Sequence, residues 1–405
     1  MTKKEMNKSV SRGLNILRFG WFCHNLMFII PVIVLVYTQK GITVGDFFLI
    51  QGIFRIAAFL FEIPSGYLSD RFSRKNVLII GTIFSFLGFA ELAMANGFFT
   101  IMLGESLLGI ASALYSGTLE AYTYDLMKRN NSQKEFLKEF GSITTFSNTA
   151  SFIASILGGV LFVHIGGDNL LWLEAAFMAI GIFAFIFLPQ LNEIKRINRH
   201  GTAIKDAVGI TYNTLKNSKL RNLIFFPALF GSFTIVMLWI LQPIMETTHI
   251  PVELFGFYVG LNQFARILFS KYAYKICDRF GTINTSIITI LDIAIGIVIG
   301  MLMMHTNNMT LIYTLCAIMA ITPAMQTTNK LQYNSLVHHS IRSTERGTVL
   351  STSAMVSTIV GAVFLVASKF LLDEYGILTT LWFEFIMLIP LILSLKATSK
   401  YLGKK

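Results

Sequence analysis

The chain has 405 residues, 54% of them hydrophobic and 14% charged, with a mean hydropathy of +0.63 and a formal net charge of +11. A water-soluble domain carries about a quarter charged residues, so this composition excludes a soluble protein and leaves one whose apolar surface meets lipid. Three cysteines, Cys23, Cys277 and Cys316, lie in or beside apolar segments without paired spacing, which argues against a disulfide framework and a zinc site.

A spanning helix needs about 20 apolar residues. In chain order the sequence predicts twelve, over 14–38, 45–69, 74–95, 98–126, 138–164, 169–189, 221–248, 252–276, 282–305, 308–334, 345–372 and 376–397. The first is too long for a signal-peptide core and lacks a small-residue cleavage site, so it is expected to stay as a span. The longest polar break, 190–220, predicts an amino-terminal six-helix bundle over 1–189, a cytoplasmic linker, and a carboxy-terminal six-helix bundle over 221–405. All but four of the 33 Lys and Arg residues fall at ends belonging to one side of the membrane; the four are Lys40, Arg55, Arg266 and Lys369. The positive-inside rule then places both termini in the cytoplasm. Basic faces against anionic headgroups account for the +11 without nucleic acid.

The halves repeat. One shift lays Asp70-Arg71-Phe72 on Asp278-Arg279-Phe280, Ile42 on Ile250, Phe47 on Phe255 and Gly52 on Gly260. Parallel repeats place a substrate site between the halves near the bilayer midplane. Between the second and third spans runs Gly66-Tyr67-Leu68-Ser69-Asp70-Arg71-Phe72-Ser73-Arg74-Lys75. This loop resembles the signature Gly-x-Leu-(Ala/Ser)-Asp-Arg-x-Gly-Arg-(Lys/Arg) of the major facilitator superfamily, with Ser73 in the place of Gly, which asks the turn to form with less freedom. The resemblance implies an all-α membrane protein of twelve helices in two pseudo-symmetric bundles.

It also implies a gating latch. In the family the loop aspartate docks on the start of the eleventh helix, here Thr344-Glu345-Arg346-Gly347, where free N–H groups and the helix dipole favour an anion. Asp70 would take that role, Arg71 would pair with Asp125, and Arg74, Lys75, Asp278 and Arg279 complete the set. Proton-coupled drug exporters of the family carry Gly-Pro-x-x-Gly-Gly in the fifth helix. Here Ala154-Ser155-Ile156-Leu157-Gly158-Gly159 keeps the glycine pair and lacks the Gly-Pro, which weighs against an antiporter.

A charge at the bilayer midplane costs about 2.5–3.5 kcal/mol even on the lenient insertion scale, so embedded charges need partners or water. Arg55 and Glu105 lie at matching depth in the second and fourth spans and are expected to face each other. Arg266 and Asp292 match likewise in the eighth and ninth, a plausible structural pair. Glu62, Glu105, Glu120 and Asp292 are the candidate proton carriers; the competing reading makes Glu62 and Glu120 part of the latch network with Arg71 and Arg74. The family's cavity is lined by the first, fourth, seventh and tenth helices. That nominates Trp21, His24, Asn25, Tyr115, Trp239, Gln242, Gln326 and Asn329, with Arg55, Asn262, Gln263 and Arg266 beside them. Each also has the plainer reading of helix packing.

The set mixes aromatic, amide and charged groups and suits an amphipathic or zwitterionic solute. The expected function is secondary active transport of a small organic solute across a bacterial inner membrane by alternating access, as proton-coupled efflux. Rivals are a proton-coupled uptake symporter for a metabolite or vitamin and, on the same scaffold, a lipid flippase. No His-Glu-x-x-His, Gly-x-Ser-x-Gly or phosphate-cradling loop is present, so no enzyme and no cofactor are expected. Partners are the solute, protons and lipid, with the chain as a monomer.

Overall fold

A computed structural model describes residues 3–129, 132–191, 209, 211–341 and 346–402, and among them there are helices and turns but no strand. The helices are α1 (Lys3–His24), α2 (Ile33–Gln39), α3 (Val44–Arg71), α4 (Arg74–Met94), α5 (Phe98–Tyr115), α6 (Thr118–Lys128), α7 (Phe136–Ile165) and α8 (Gly167–Ile186). They continue as α9 (Ser218–Thr247), α10 (Phe255–Met303), α11 (Met309–Ile321), α12 (Gln326–Ser340) and α13 (Arg346–Ser399). Nine helical stretches among the described residues are long and apolar enough to cross a membrane. Two of them, holding α10 and α13, are each divided by a turn glycine, Gly281 and Gly376. With the first helix, assembled from α1 and α2, the predicted twelve spans are present.

Three predicted spans are interrupted. The first breaks between His24 and Ile30, because Pro31 has no N–H to continue the ladder and opens a 3₁₀ turn over Ile30–Val32. The fourth breaks at Ser116-Gly117, where Gly117 takes φ 69°. The tenth passes through a 3₁₀ turn at Thr322–Met325, again opened by a proline, Pro323.

The chain groups into two compact units, Met1–Ile42 with Ile53–Asn198, and Thr43–Gly52 with Arg199–Lys405. The first nine residues of α3 and the Thr43 before it thus belong with the second unit. The first unit is built around Leu17, Leu78, Tyr122, Leu126, Ile143 and Phe185. Within it α4 and α5 meet backbone to backbone, since a Cβ on Gly88 would come within 3.0 Å of the Gly104 carbonyl and the reverse within 3.1 Å; small residues admit such contact where lipid supplies no hydrophobic drive. The second unit centres on Phe226, Phe230, Phe233, Phe255 and Tyr333. Large side chains such as Phe99, Phe183, Phe370 and Ile389 stay exposed, as a lipid-facing surface requires.

The repeat seen in the sequence recurs in the turns. After α2, Gly41 takes φ 86° and the Ile42 N–H donates to the Tyr37 carbonyl at 3.4 Å; after α9, His249 takes φ 56° and the Ile250 N–H donates to the Met245 carbonyl at 2.9 Å. These are the same left-handed helix stop, made with glycine once and with histidine once. His249 is the one non-glycine residue at positive φ among those described. Its Cβ carries a penalty of about 1 kcal/mol there, so His249→Gly is expected to raise stability by about that amount in a detergent unfolding titration. The α3–α4 turn solves its problem differently. Ser73 keeps φ −67° and caps α4 by accepting the Asn76 N–H at 3.3 Å, whereas Gly281, in the same place in the second half, uses φ 73°. The serine therefore fits without left-handed backbone.

Candidate functional site

The signature loop lies where α3 gives way to α4. Gly66, Asp70 and Arg71 belong to α3. The side chains of Asp70 and Arg71 and the surroundings of Gly66 lie outside the described residues, as do Thr344, Glu345 and the surroundings of Gly347. Asp125 is held by Arg74, which also donates to the Ala121 carbonyl at 3.4 Å. The expected pairing was with Arg71; Arg74, opening α4, reaches the acid across the short gap to α6. Lys75 donates to the Ile186 carbonyl at 2.6 Å and so caps the last turn of α8. At the same end Arg18 of α1 pairs with Glu139 of α7 and donates to Ser142 at 3.0 Å. Asp278 and Arg279 stand exposed just before Gly281, with the Arg279 guanidinium 5.6 Å from the Phe280 ring.

Inside the spans the depth-matched charge pairs are not formed. Glu105 is buried and accepts the Tyr37 hydroxyl at 2.7 Å, while Arg55 makes no ion pair among the described residues. A phenol supplies a short bond to the carboxyl without a second charge to desolvate. Arg266 lies exposed on the first part of α10, and Asp292, beyond the Gly281 turn in the next span, keeps one carboxyl oxygen buried without a partner among the described residues. Glu62 accepts the Ser116 hydroxyl at 3.0 Å, at the break between α5 and α6. Glu120 is exposed in the first turn of α6, where a negative charge suits the helix dipole.

The nominated aromatics of the first unit gather in one cluster. Trp21 stacks on His24 at 4.7 Å, and Tyr115 meets both rings edge-on at 5.0 and 4.5 Å. His24 Nδ1 contacts Met178 Sδ at 3.2 Å, and the Tyr115 hydroxyl donates to Thr82 at 3.0 Å. Asn25 bonds back to the Trp21 carbonyl at 2.7 Å. In the second unit Phe47 meets Trp239 edge-on at 5.2 Å. Asn262 donates to the Ala320 carbonyl at 2.8 Å, and the Asn329 carbonyl accepts Ser286 at 3.4 Å while its amide nitrogen is buried without a partner. Gln242 is buried; Gln263 and Gln326 are half-buried.

Sequence reasoning passed over three acids. Glu174 of α8 and Glu384 of α13 are fully buried. Their signal was present: Leu171-Trp172-Leu173-Glu174 and Leu381-Trp382-Phe383-Glu384 stand at equal distances after the turn glycines Gly166 and Gly376. The third is Asp373. Lys369 bridges it and Asp46 at 2.8 and 2.9 Å, and Thr43 donates to it at 2.8 Å. A Cβ on Gly45 would fall 2.2 Å from the Asp373 carboxyl, so a larger residue there would push that acid away from the start of α3. In the first unit Lys40 pairs with Asp168 at 2.5 Å and donates to the carbonyls of Ala93 and Ala95 at 3.3 and 3.1 Å, joining the ends of α2, α4 and α8.

The sequence profile of the Major Facilitator Superfamily matches residues 16–365. The chain belongs to the Major Facilitator Superfamily. It is a membrane transporter and not an enzyme, and the twelve-span, two-bundle architecture is the fold of that superfamily. Among curated relatives it is 31% identical over 156 residues to an uncharacterized transporter of Buchnera aphidicola subsp. Schizaphis graminum, covering 37% of this chain and 38% of that one. It is 29% identical over 138 residues to the bacillibactin exporter of Bacillus subtilis, covering 33% of this chain and 34% of that one. The chain thus spans between a third and two-fifths of the length of these relatives. Among solved structures it resembles the nucleoside transporter NupG, with TM-score 0.78, 15% identity, 98% of this chain and 100% of that one. At that identity the likeness is one of fold.

Proposed function

We propose that this superfamily member exports a small organic solute by alternating access across a bacterial inner membrane, as a monomer, with both termini in the cytoplasm and protons as the driving ion. The observation that carries the mechanism is the division of α3: Thr43–Gly52 groups with the second unit and the helix from Ile53 onward with the first. A helix claimed at its start by Lys369 and Asp373 of α13 is the element that rocking bundles must re-sort. Asp70, with Arg71, Arg74 and Asp125, would form the opposing latch at the helix's other end, and the Arg74–Asp125 pair supports that reading.

Export draws support from the likeness to the bacillibactin exporter, and proton drive from embedded carboxyls that meet neutral hydroxyls, Glu105 with Tyr37 and Glu62 with Ser116. Such acids can change protonation with a neutral hydroxyl still in contact. The mixed aromatic and amide groups suit an amphipathic solute. The test uses purified protein in liposomes, screened for solutes that raise its melting temperature and then for flux. Flux of the identified solute accelerated by an opposing proton gradient is expected; flux indifferent to that gradient rejects proton coupling. Asp70→Asn at unchanged protein level is expected to abolish flux, and unchanged flux rejects the latch.

A further inference from the structure

We propose that Glu174 is an exchangeable proton site that sets the shape of the break in the first helix, and that Glu384, its counterpart in the second half, holds its proton permanently. The break frees backbone N–H groups, because residues after His24 leave the helical ladder before it resumes beyond Pro31. One of them, the Ile29 N–H, donates to Glu174 Oε1 at 2.9 Å. The other carboxyl oxygen, Oε2, is buried with no partner among the described residues. From the far side, α7 closes on the same break: a Cβ on Gly158 would lie 2.2 Å from the Phe28 carbonyl. The break is thus gripped between a glycine that admits its carbonyl and an acid that accepts its N–H.

The two halves make a controlled comparison. Glu174 and Glu384 occupy the same place in the same Leu-Trp-x-Glu pattern, and both are fully buried. Against α13 packs α9, a continuous helix from Ser218 to Thr247 with Pro227 and Pro243 inside it, so beyond its first turn the N–H groups of its other residues are taken by its own carbonyls. Both oxygens of Glu384 are left without a partner among the described residues. An ionised carboxylate in an apolar interior needs compensating donors. Glu174 has a backbone donor in the break, the Ile29 N–H; Glu384 has none among the described residues. Hence only Glu174 can cycle between acid and carboxylate, and its hold on the Ile29 N–H tightens in the carboxylate form, because a charge-assisted bond is the stronger one.

α8 packs against α1, α4 and α7, and the titratable groups there leave Glu174 without a competing ion pair. His24 of α1 contacts Met178, His164 of α7 bonds to its own Val160 carbonyl, Asp168 is held by Lys40, and Glu91 of α4 makes no ion pair among the described residues. The proposal does not depend on the direction of transport or on proton drive, since a proton can bind whether or not it drives flux.

The experiment is infrared difference spectroscopy of the purified protein in lipid nanodiscs, stepped between acid and alkaline pH without any solute. Wild type is expected to show a protonated-carboxyl band that disappears at alkaline pH. Glu174→Gln, which keeps the size and an acceptor oxygen, should lose that pH-sensitive band, while Glu384→Gln should lose a carboxyl band that persists at every pH. An unaltered difference spectrum in Glu174→Gln, or loss of the pH-sensitive band in Glu384→Gln, overturns the assignment. Should either variant fail to fold, hydrogen exchange of the wild-type peptide containing Ile29 decides. Protection rising severalfold with pH, after correction for intrinsic exchange, is expected; protection independent of pH overturns the proposal. A pH-sensitive Glu174 band in a protein whose flux ignores a proton gradient would reject proton drive and leave this site standing.

Discussion

Gly158→Ala is expected to cost about 3 kcal/mol of stability, the upper end of the range for forcing a methyl into a filled interior. The added Cβ would stand 2.2 Å from the Phe28 oxygen and 3.1 Å from the Pro31 ring. Neither can yield cheaply, because the Phe28 atom is backbone and Pro31 sits where the first helix resumes. Either α7 moves out by more than an ångström or the break is reshaped. The same helix supplies its own control. Gly141 of α7 has open space where a Cβ would go, and glycine inside a helix is less favourable than alanine by about 0.5–1 kcal/mol. Gly141→Ala should therefore raise the unfolding midpoint in detergent while Gly158→Ala lowers it. Two like-signed shifts of similar size would refute the packing argument.

Lys369→Met should shift the resting population of the transporter about tenfold away from the arrangement in which Thr43–Gly52 lies with the second unit. The ammonium holds two carboxylates, Asp46 and Asp373, in a partly exposed setting. The Asp46 pair contributes about 1 kcal/mol or less; the Asp373 pair is internal to α13 and persists in either arrangement, and removal of the shared cation also leaves two like charges near each other. Together these approach the roughly 1.4 kcal/mol that corresponds to a factor of ten. Lys369→Arg, keeping the charge, should behave as wild type. The readout is the labelling rate of a cysteine at Gly52 in a background without Cys23, Cys277 and Cys316, with a membrane-impermeant maleimide. Equal rates in Lys369→Met and Lys369→Arg would remove the tie from the mechanism.

The spans and the signature loop were legible because both are local: twenty apolar residues announce a crossing, and Asp-Arg-Phe recurs after the second helix of each half. The breaks were not. Leu26 to Ile29 continue the apolar run of the first span, and Pro31 alone signals an interruption that many membrane helices absorb without one. Side-chain partners were least legible. Depth matching coupled Glu105 to Arg55 since it weighs charge against charge, while the protein satisfies that acid with the phenol of Tyr37. Glu174 and Glu384 escaped notice for the opposite reason. Each is a lone acid in a strongly apolar span, and only laying the two Leu-Trp-x-Glu stretches side by side reveals that they recur.

Lys40 is one of the four basic residues that depart from the one-sided charge pattern, and its ties bear on biosynthesis. In the proposed orientation, with the termini inside, the hairpin of the first two spans must carry this cation outward while Asp168, on the last helix of the first unit, is still unmade. The nascent chain therefore exports a bare ammonium and neutralises it only when α8 arrives, which makes closure of this three-helix corner a late step in assembly.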